Sequence, residues 1–78
     1  MTDPLKIFIL LNEEVGEMAA EIKKTWSKNY DEFDVDKLEE EIADSFVLLS
    51  ALANSFDIDL ETAIEKYTKR DIKGFKSL

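Results

Sequence analysis

The chain has 78 residues, 45% hydrophobic and 36% charged, with two Gly, one Pro, no Cys and no His. That length allows one thin-cored domain, and the composition favours helices over collagen-like, disordered or β-rich chains. The formal charge of -8, from 18 acidic and 10 basic residues, repels nucleic-acid backbones and anionic lipid surfaces, so neither is an expected partner.

The first predicted helix opens at Thr2-Asp3-Pro4, where Asp3 can accept from free backbone N–H groups and Pro4 sits in a first-turn position that needs no donor. Phe8, Leu11, Val15, Met18, Ile22 and Trp26 then recur at three- and four-residue intervals, the period of one buried face, and fraying is expected over residues 25–28. Residues 29–33 read as a polar turn. Asp34 or Asp36 can cap the second helix, with Glu39 three after Asp36 as in a capping box. That helix carries Leu38, Ile42, Phe46, Leu49, Ala53 and Phe56, and residues 42–53 are apolar on nearly every side. A helix apolar all round is covered on more than one face, which points to a homo-oligomer.

Asp57-Ile58-Asp59 interrupts the pattern. Asp59 is a plausible N-cap, Leu60, Ala63, Ile64 and Tyr67 give a shorter amphipathic helix that Gly74 can end, and residues 75–78 form a loose tail. The expected fold is therefore all-α, one domain over residues 1–78: an antiparallel helical hairpin plus a third helix, assembling into an oligomeric helical bundle. No segment suits a targeting peptide or a membrane span, since residues 42–53 are too short and contain Asp44; the expected location is cytoplasmic.

Without Cys or His there is no disulfide, thiol chemistry or imidazole base, and catalysis has to run on carboxylates, Lys, Arg, Tyr or bound metal. Two acidic clusters stand out, Glu13-Glu14-x-x-Glu17 on the first helix and Glu41-x-x-Asp44 on the second. Residues three apart on a helix project from nearly the same side, so each pair makes a two-pronged oxygen donor. In an antiparallel hairpin, residues are level when their numbers share a midpoint. Glu14 with Asp44 and Glu17 with Glu41 both average to 29, inside the predicted turn. So much like charge at one height needs protonation or a bound cation, and oxygen-only ligation suits Mg²⁺ or Mn²⁺. The competing reading is a solvated acidic face. Against it, Asp44 sits among Ile42, Ala43, Phe46 and Val47, where a short carboxylate is costly unless paired. Trp26 is read as structural. Gly16 either permits a close helix approach or is a tolerated defect.

The run Leu11-Asn12-Glu13-Glu14-Val15-Gly16-Glu17-Met18-Ala19, then Glu40-Glu41-Ile42-Ala43-Asp44, then Asp57-Ile58-Asp59-Leu60-Glu61-x-Ala63-x-x-Lys66, resembles the MazG-like nucleoside triphosphate pyrophosphohydrolases, whose signature is EExxE, a variable gap and ExxD. The resemblance implies Mg²⁺-dependent cleavage of a nucleoside triphosphate to monophosphate and pyrophosphate by a dimer or tetramer. It implies Glu14, Glu17, Glu41 and Asp44 as metal ligands, and Glu13 together with Glu14 as catalytic carboxylates, Glu13 either binding a second ion or orienting the attacking water. Lys66 matches a family lysine near the phosphates, while Arg70 and Lys73 stand where many members carry Asn and Arg, so Arg70 is a second candidate phosphate contact. The helix that usually precedes the EExxE helix has no counterpart in residues 1–10, so base recognition is expected from a neighbouring subunit or a rearranged site. The alternatives are a phosphoribosyl-ATP pyrophosphohydrolase-like enzyme and a noncatalytic helical oligomerisation protein.

Overall fold

The computed structural model of the protein describes residues 3–26 and 32–68. These form three α-helices, α1 (Pro4–Lys23), α2 (Val35–Ser55) and α3 (Leu60–Thr68), with a 3₁₀ turn over Lys24–Trp26 after α1 and no strand among the described residues. The expected all-helical class is what the chain adopts. The expected stop at Gly74, the tail and residues 29–31 of the expected turn lie outside the described residues.

Each helix starts on an aspartate. Asp3 accepts the Leu5 N–H at 2.9 Å with Pro4 at the first helical position. Asp34 accepts from Asp36 and Lys37 at 3.0 and 3.2 Å, so it caps α2 and the Asp36–Glu39 box is not used. Asp59 accepts from Glu61 and Thr62 at 3.1 and 3.4 Å. Each cap satisfies backbone donors that have no partner within the helix. At the far end of α2, Ile58 donates to the Ala53 carbonyl at 2.9 Å and Asp57 to that of Asn54 at 3.1 Å. This is the double closure of a Schellman motif, with Asp57 at φ 57° in the left-handed position that glycine usually fills.

Packing is mainly between α1 and α2, with α3 resting lightly on α2. The face that α1 turns to α2 overlaps the expected one only in part, at the half-buried Leu11 and Met18. Ile7 is 1% and Glu21 2% exposed, with Glu14 half-buried midway between them at seven-residue spacing. Phe8, Val15 and Ile22, expected inside, are 50%, 49% and 43% exposed, and Trp26 is open to solvent. On α2, Glu41 and Ser45 are buried where Leu38 and Leu48 flank them, whereas Ile42, Phe46 and Leu49 are exposed. The two helices thus enclose acids among half-buried leucines and leave a second apolar stripe outside. The only buried apolar side chains among the described residues are Ile7 and Ala53. A Cβ added at Gly16 would meet nothing within 4 Å, so no close approach inside the subunit requires glycine there.

Candidate metal centre

Glu14 and Glu17 sit one turn apart on α1, and Glu41 faces them from α2. Each offers a carboxylate oxygen within 4.8 Å of the others. Glu41 is 5% exposed, and its Oε1 has no hydrogen-bond partner among the described residues. Burial pushes the Glu41 carboxyl above its ordinary value, helped by the charge of Glu17 and opposed by Lys37. Glu14 is raised too, first by loss of solvent and then by the charges of Glu17, Asp44 and Glu41. An acid that is buried, orphaned and crowded by like charge is stabilised by a proton or a cation.

Two of the expected carboxylates lie at the margin. Asp44 is exposed, as are Ile42, Ala43, Phe46 and Val47 around it, so the apolar enclosure expected for it is not formed within one subunit. Its charge still reaches Glu14. Glu13 is exposed and stands outside the close group. Lys66 is exposed on α3 with its ammonium 5.1 Å from the centre of the Tyr67 ring, and Arg70 lies outside the described residues.

Three residues beside the group did not stand out in the sequence. Glu21 accepts the Asp34 N–H at 2.8 Å and the Lys24 ammonium at 3.2 Å, and the Asp34 bond together with Lys24 holds its carboxyl below the usual range despite burial. Lys24 and Lys37 join Glu17, Ala20, Glu21 and Glu41 around a pocket of about 280 Å³. The signal was helical spacing: Glu21 is seven after Glu14, Lys24 seven after Glu17, and Lys37 four before Glu41. A larger concavity of about 710 Å³ lies between α2 and α3, lined in part by Phe46, Asn54 and Ile58, and includes none of the three clustered carboxylates.

The chain matches the MazG nucleotide pyrophosphohydrolase domain over residues 3–75. It belongs to the MazG family. This MazG chain is also 38% identical over 74 residues to the uncharacterized protein YpjD of Bacillus subtilis (strain 168), covering 87% of the chain and 67% of that protein. No solved structure matches it significantly. Metal dependence is typical of MazG proteins, and the donor set fits a hard divalent ion. All three donors are oxygens, and the orphaned Glu41 Oε1 is an acceptor facing a second and third carboxylate. Opposite oxygens on an octahedral Mg²⁺ are about 4.2 Å apart, so the carboxylates, now within 4.8 Å of one another, would have to draw in to share one ion. No helix among the described residues is long and apolar enough to cross a membrane.

Proposed function

We propose that this MazG chain is a Mg²⁺-dependent nucleotide pyrophosphohydrolase that cleaves nucleoside triphosphates to monophosphate and pyrophosphate, with Mn²⁺ able to replace Mg²⁺. The observation that carries the reading is the buried, unpartnered Oε1 of Glu41 beside Glu14 and Glu17. A solvated acidic face leaves its carboxylates in water, whereas this arrangement withdraws one of them from solvent and crowds it with two further carboxylates.

Glu14, Glu17 and Glu41 hold the ion in this reading, and Asp44 joins them by side-chain adjustment from its exposed position. When bound, a divalent ion supplies charge neutralisation for the phosphates. In this reading Glu13, which is exposed and outside the close group, orients the attacking water and accepts its proton, with Glu14 as the neighbouring carboxylate. Water oxygen bonds to the α-phosphorus, the bond from that phosphorus to the bridging oxygen breaks, and the electron pair leaves with pyrophosphate. Lys66 and Arg70 contribute positive charge toward the phosphates.

The working unit is a homo-oligomer, dimer or tetramer, in which α1 and α2 form an antiparallel hairpin and exposed apolar stripes of neighbouring copies cover each other. Supporting this, only two apolar side chains are buried among the described residues, against a rim that includes Phe8, Val15, Ile42, Phe46 and Leu49, little burial for a free-standing domain. A panel of nucleoside triphosphates and phosphoribosyl-ATP, with and without Mg²⁺, tests the activity. Monophosphate plus pyrophosphate from a nucleoside triphosphate supports it; diphosphate plus phosphate, or no Mg²⁺-dependent turnover, rejects it.

A further inference from the structure

We infer that Lys37, with Lys24 beside it, seats the pyrophosphate end of the substrate in the pocket that adjoins the metal carboxylates. The inference deepens the pyrophosphohydrolase reading and rests on it for the identity of the substrate.

The pocket of about 280 Å³ shares two walls, Glu17 and Glu41, with the carboxylate group. Its other lining groups are Glu21, Lys24, Lys37 and Ala20. No aromatic ring and one methyl group line it, so it suits a compact charged group and not a nucleobase. Three acids and two lysines line it, and Glu14 beside it adds a fourth acid; one divalent ion cancels the net charge of that group and leaves the ion and the two lysines as the positive partners an anion can meet. The pocket then becomes a receptor for an anion that touches the ion, which the β- and γ-phosphates of a triphosphate are.

The lysines also sit oddly for any simpler purpose. An ammonium beside a divalent-cation site repels the cation, so on its own it weakens metal binding. The cost is offset when an anion arrives with the metal and bonds both. Lys24 is held in place by its 3.2 Å bond to the buried Glu21. Lys37 belongs to the first turn of α2, one turn ahead of Glu41, and its charge acts on both Glu41 and Glu21. Two elements thus bring one positive group each to the same side of the carboxylates. In the cleavage, negative charge builds on the leaving β-phosphate oxygen, and donors at that position stabilise the charge as it forms.

The test uses the full chain and two titrations, Mg²⁺ alone and inorganic pyrophosphate in saturating Mg²⁺, each followed by calorimetry for wild type, Lys37→Met, Lys37→Arg, Lys24→Met and Lys23→Met. Lys23 is exposed and outside the pocket, so its variant removes the same charge elsewhere. The backbone N–H of Lys37 that bonds Asp34 survives in the Met variant, and circular dichroism checks the fold. The expected result is pyrophosphate affinity lowered at least about tenfold in Lys37→Met and lowered in Lys24→Met, largely kept in Lys37→Arg, and unchanged in Lys23→Met. Mg²⁺ affinity in Lys37→Met stays the same or tightens. Pyrophosphate binding unaffected by Lys37→Met, equal loss in Lys23→Met, or no pyrophosphate binding by wild type overturns the inference. If pyrophosphate binds as expected but no nucleoside triphosphate is turned over, the activity reading fails while the anion seat stands.

Discussion

The Glu21 carboxylate of α1 accepts the backbone N–H of Asp34, the residue that caps α2, at 2.8 Å, and it does so while 2% exposed. One buried acid therefore fixes where the second helix begins relative to the first. Its carboxyl is held below the ordinary range by that bond and by Lys24. A lowered folded-state pKa stabilises the fold above the unfolded value, and that stabilisation is lost as pH falls through the folded one. Glu21→Ala is expected to lower Tm by several degrees at neutral pH, with the gap between variant and wild type shrinking on acidification below pH about 4. Thermal melts across that range check it, and a gap that widens toward acid rejects the assignment.

Glu14 and Glu41 carry the opposite sign. Both carboxyls are raised, chiefly by loss of solvent, so their contribution to stability is fully present below the unfolded pKa and falls away as pH rises through the folded values. Without divalent ions the protein should gain stability from these two groups on mild acidification from neutral pH. Mg²⁺ should replace that gain at neutral pH, and an ion present at 100 times its Kd stabilises a folded state by about 2.7 kcal/mol. Glu41→Gln is expected to leave the metal-free Tm unchanged or higher, and to abolish both the Mg²⁺-induced rise and turnover. Melts with and without Mg²⁺ at several pH values, alongside a turnover assay, measure all three.

The caps were legible in the sequence because Asp3, Asp34 and Asp59 act through local geometry. The meeting of Glu14, Glu17 and Glu41 was legible too, since helical spacing and a shared midpoint are arithmetic on residue numbers. The orientation of each apolar stripe was not. Phe8, Val15 and Ile22 keep a clean helical period, but so do Ile7, Glu14 and Glu21 one position back, and hydrophobicity alone selects the first set. The described subunit turns the second set inward instead, with Ile7 and Glu21 buried and Glu14 half-buried. Which of two equally periodic faces turns inward depends on what each meets across the helix pair, and that is not written in the periodicity of a single helix.

At the end of α2, Asp57 occupies the left-handed region at φ 57°, where an L side chain is strained and glycine is not. The two closing hydrogen bonds, from Ile58 to Ala53 and from Asp57 to Asn54, use backbone atoms only. Asp57→Gly keeps both and removes the strain, offset in part by the greater freedom of glycine in the unfolded chain. The expected net gain is about 1 kcal/mol, read as a rise in Tm. Asp57→Val, which branches at Cβ, should lose at least as much.

The apolar stripe on α2, with Ile42, Phe46, Leu49 and Phe56 at 52%, 55%, 41% and 61% exposure, decides the quaternary prediction. Completing the burial of a half-exposed side chain of this size contributes about 1 kcal/mol, and a symmetric pair of copies contributes each residue twice. That total is comparable with the whole stability of a small domain, whereas Ile7 and Ala53 cannot hold three helices by themselves. Light scattering should therefore give the wild-type chain a mass that is a multiple of 9.0 kDa. Leu49→Glu puts a charge in the stripe without touching the carboxylate group, and it should shift the assembly toward monomer. Helical circular dichroism should fall with it, because folding and association draw on the same buried surface. A Leu49→Glu protein that is monomeric and fully helical at micromolar concentration would show that one subunit is stable alone and that the stripe serves something other than self-association.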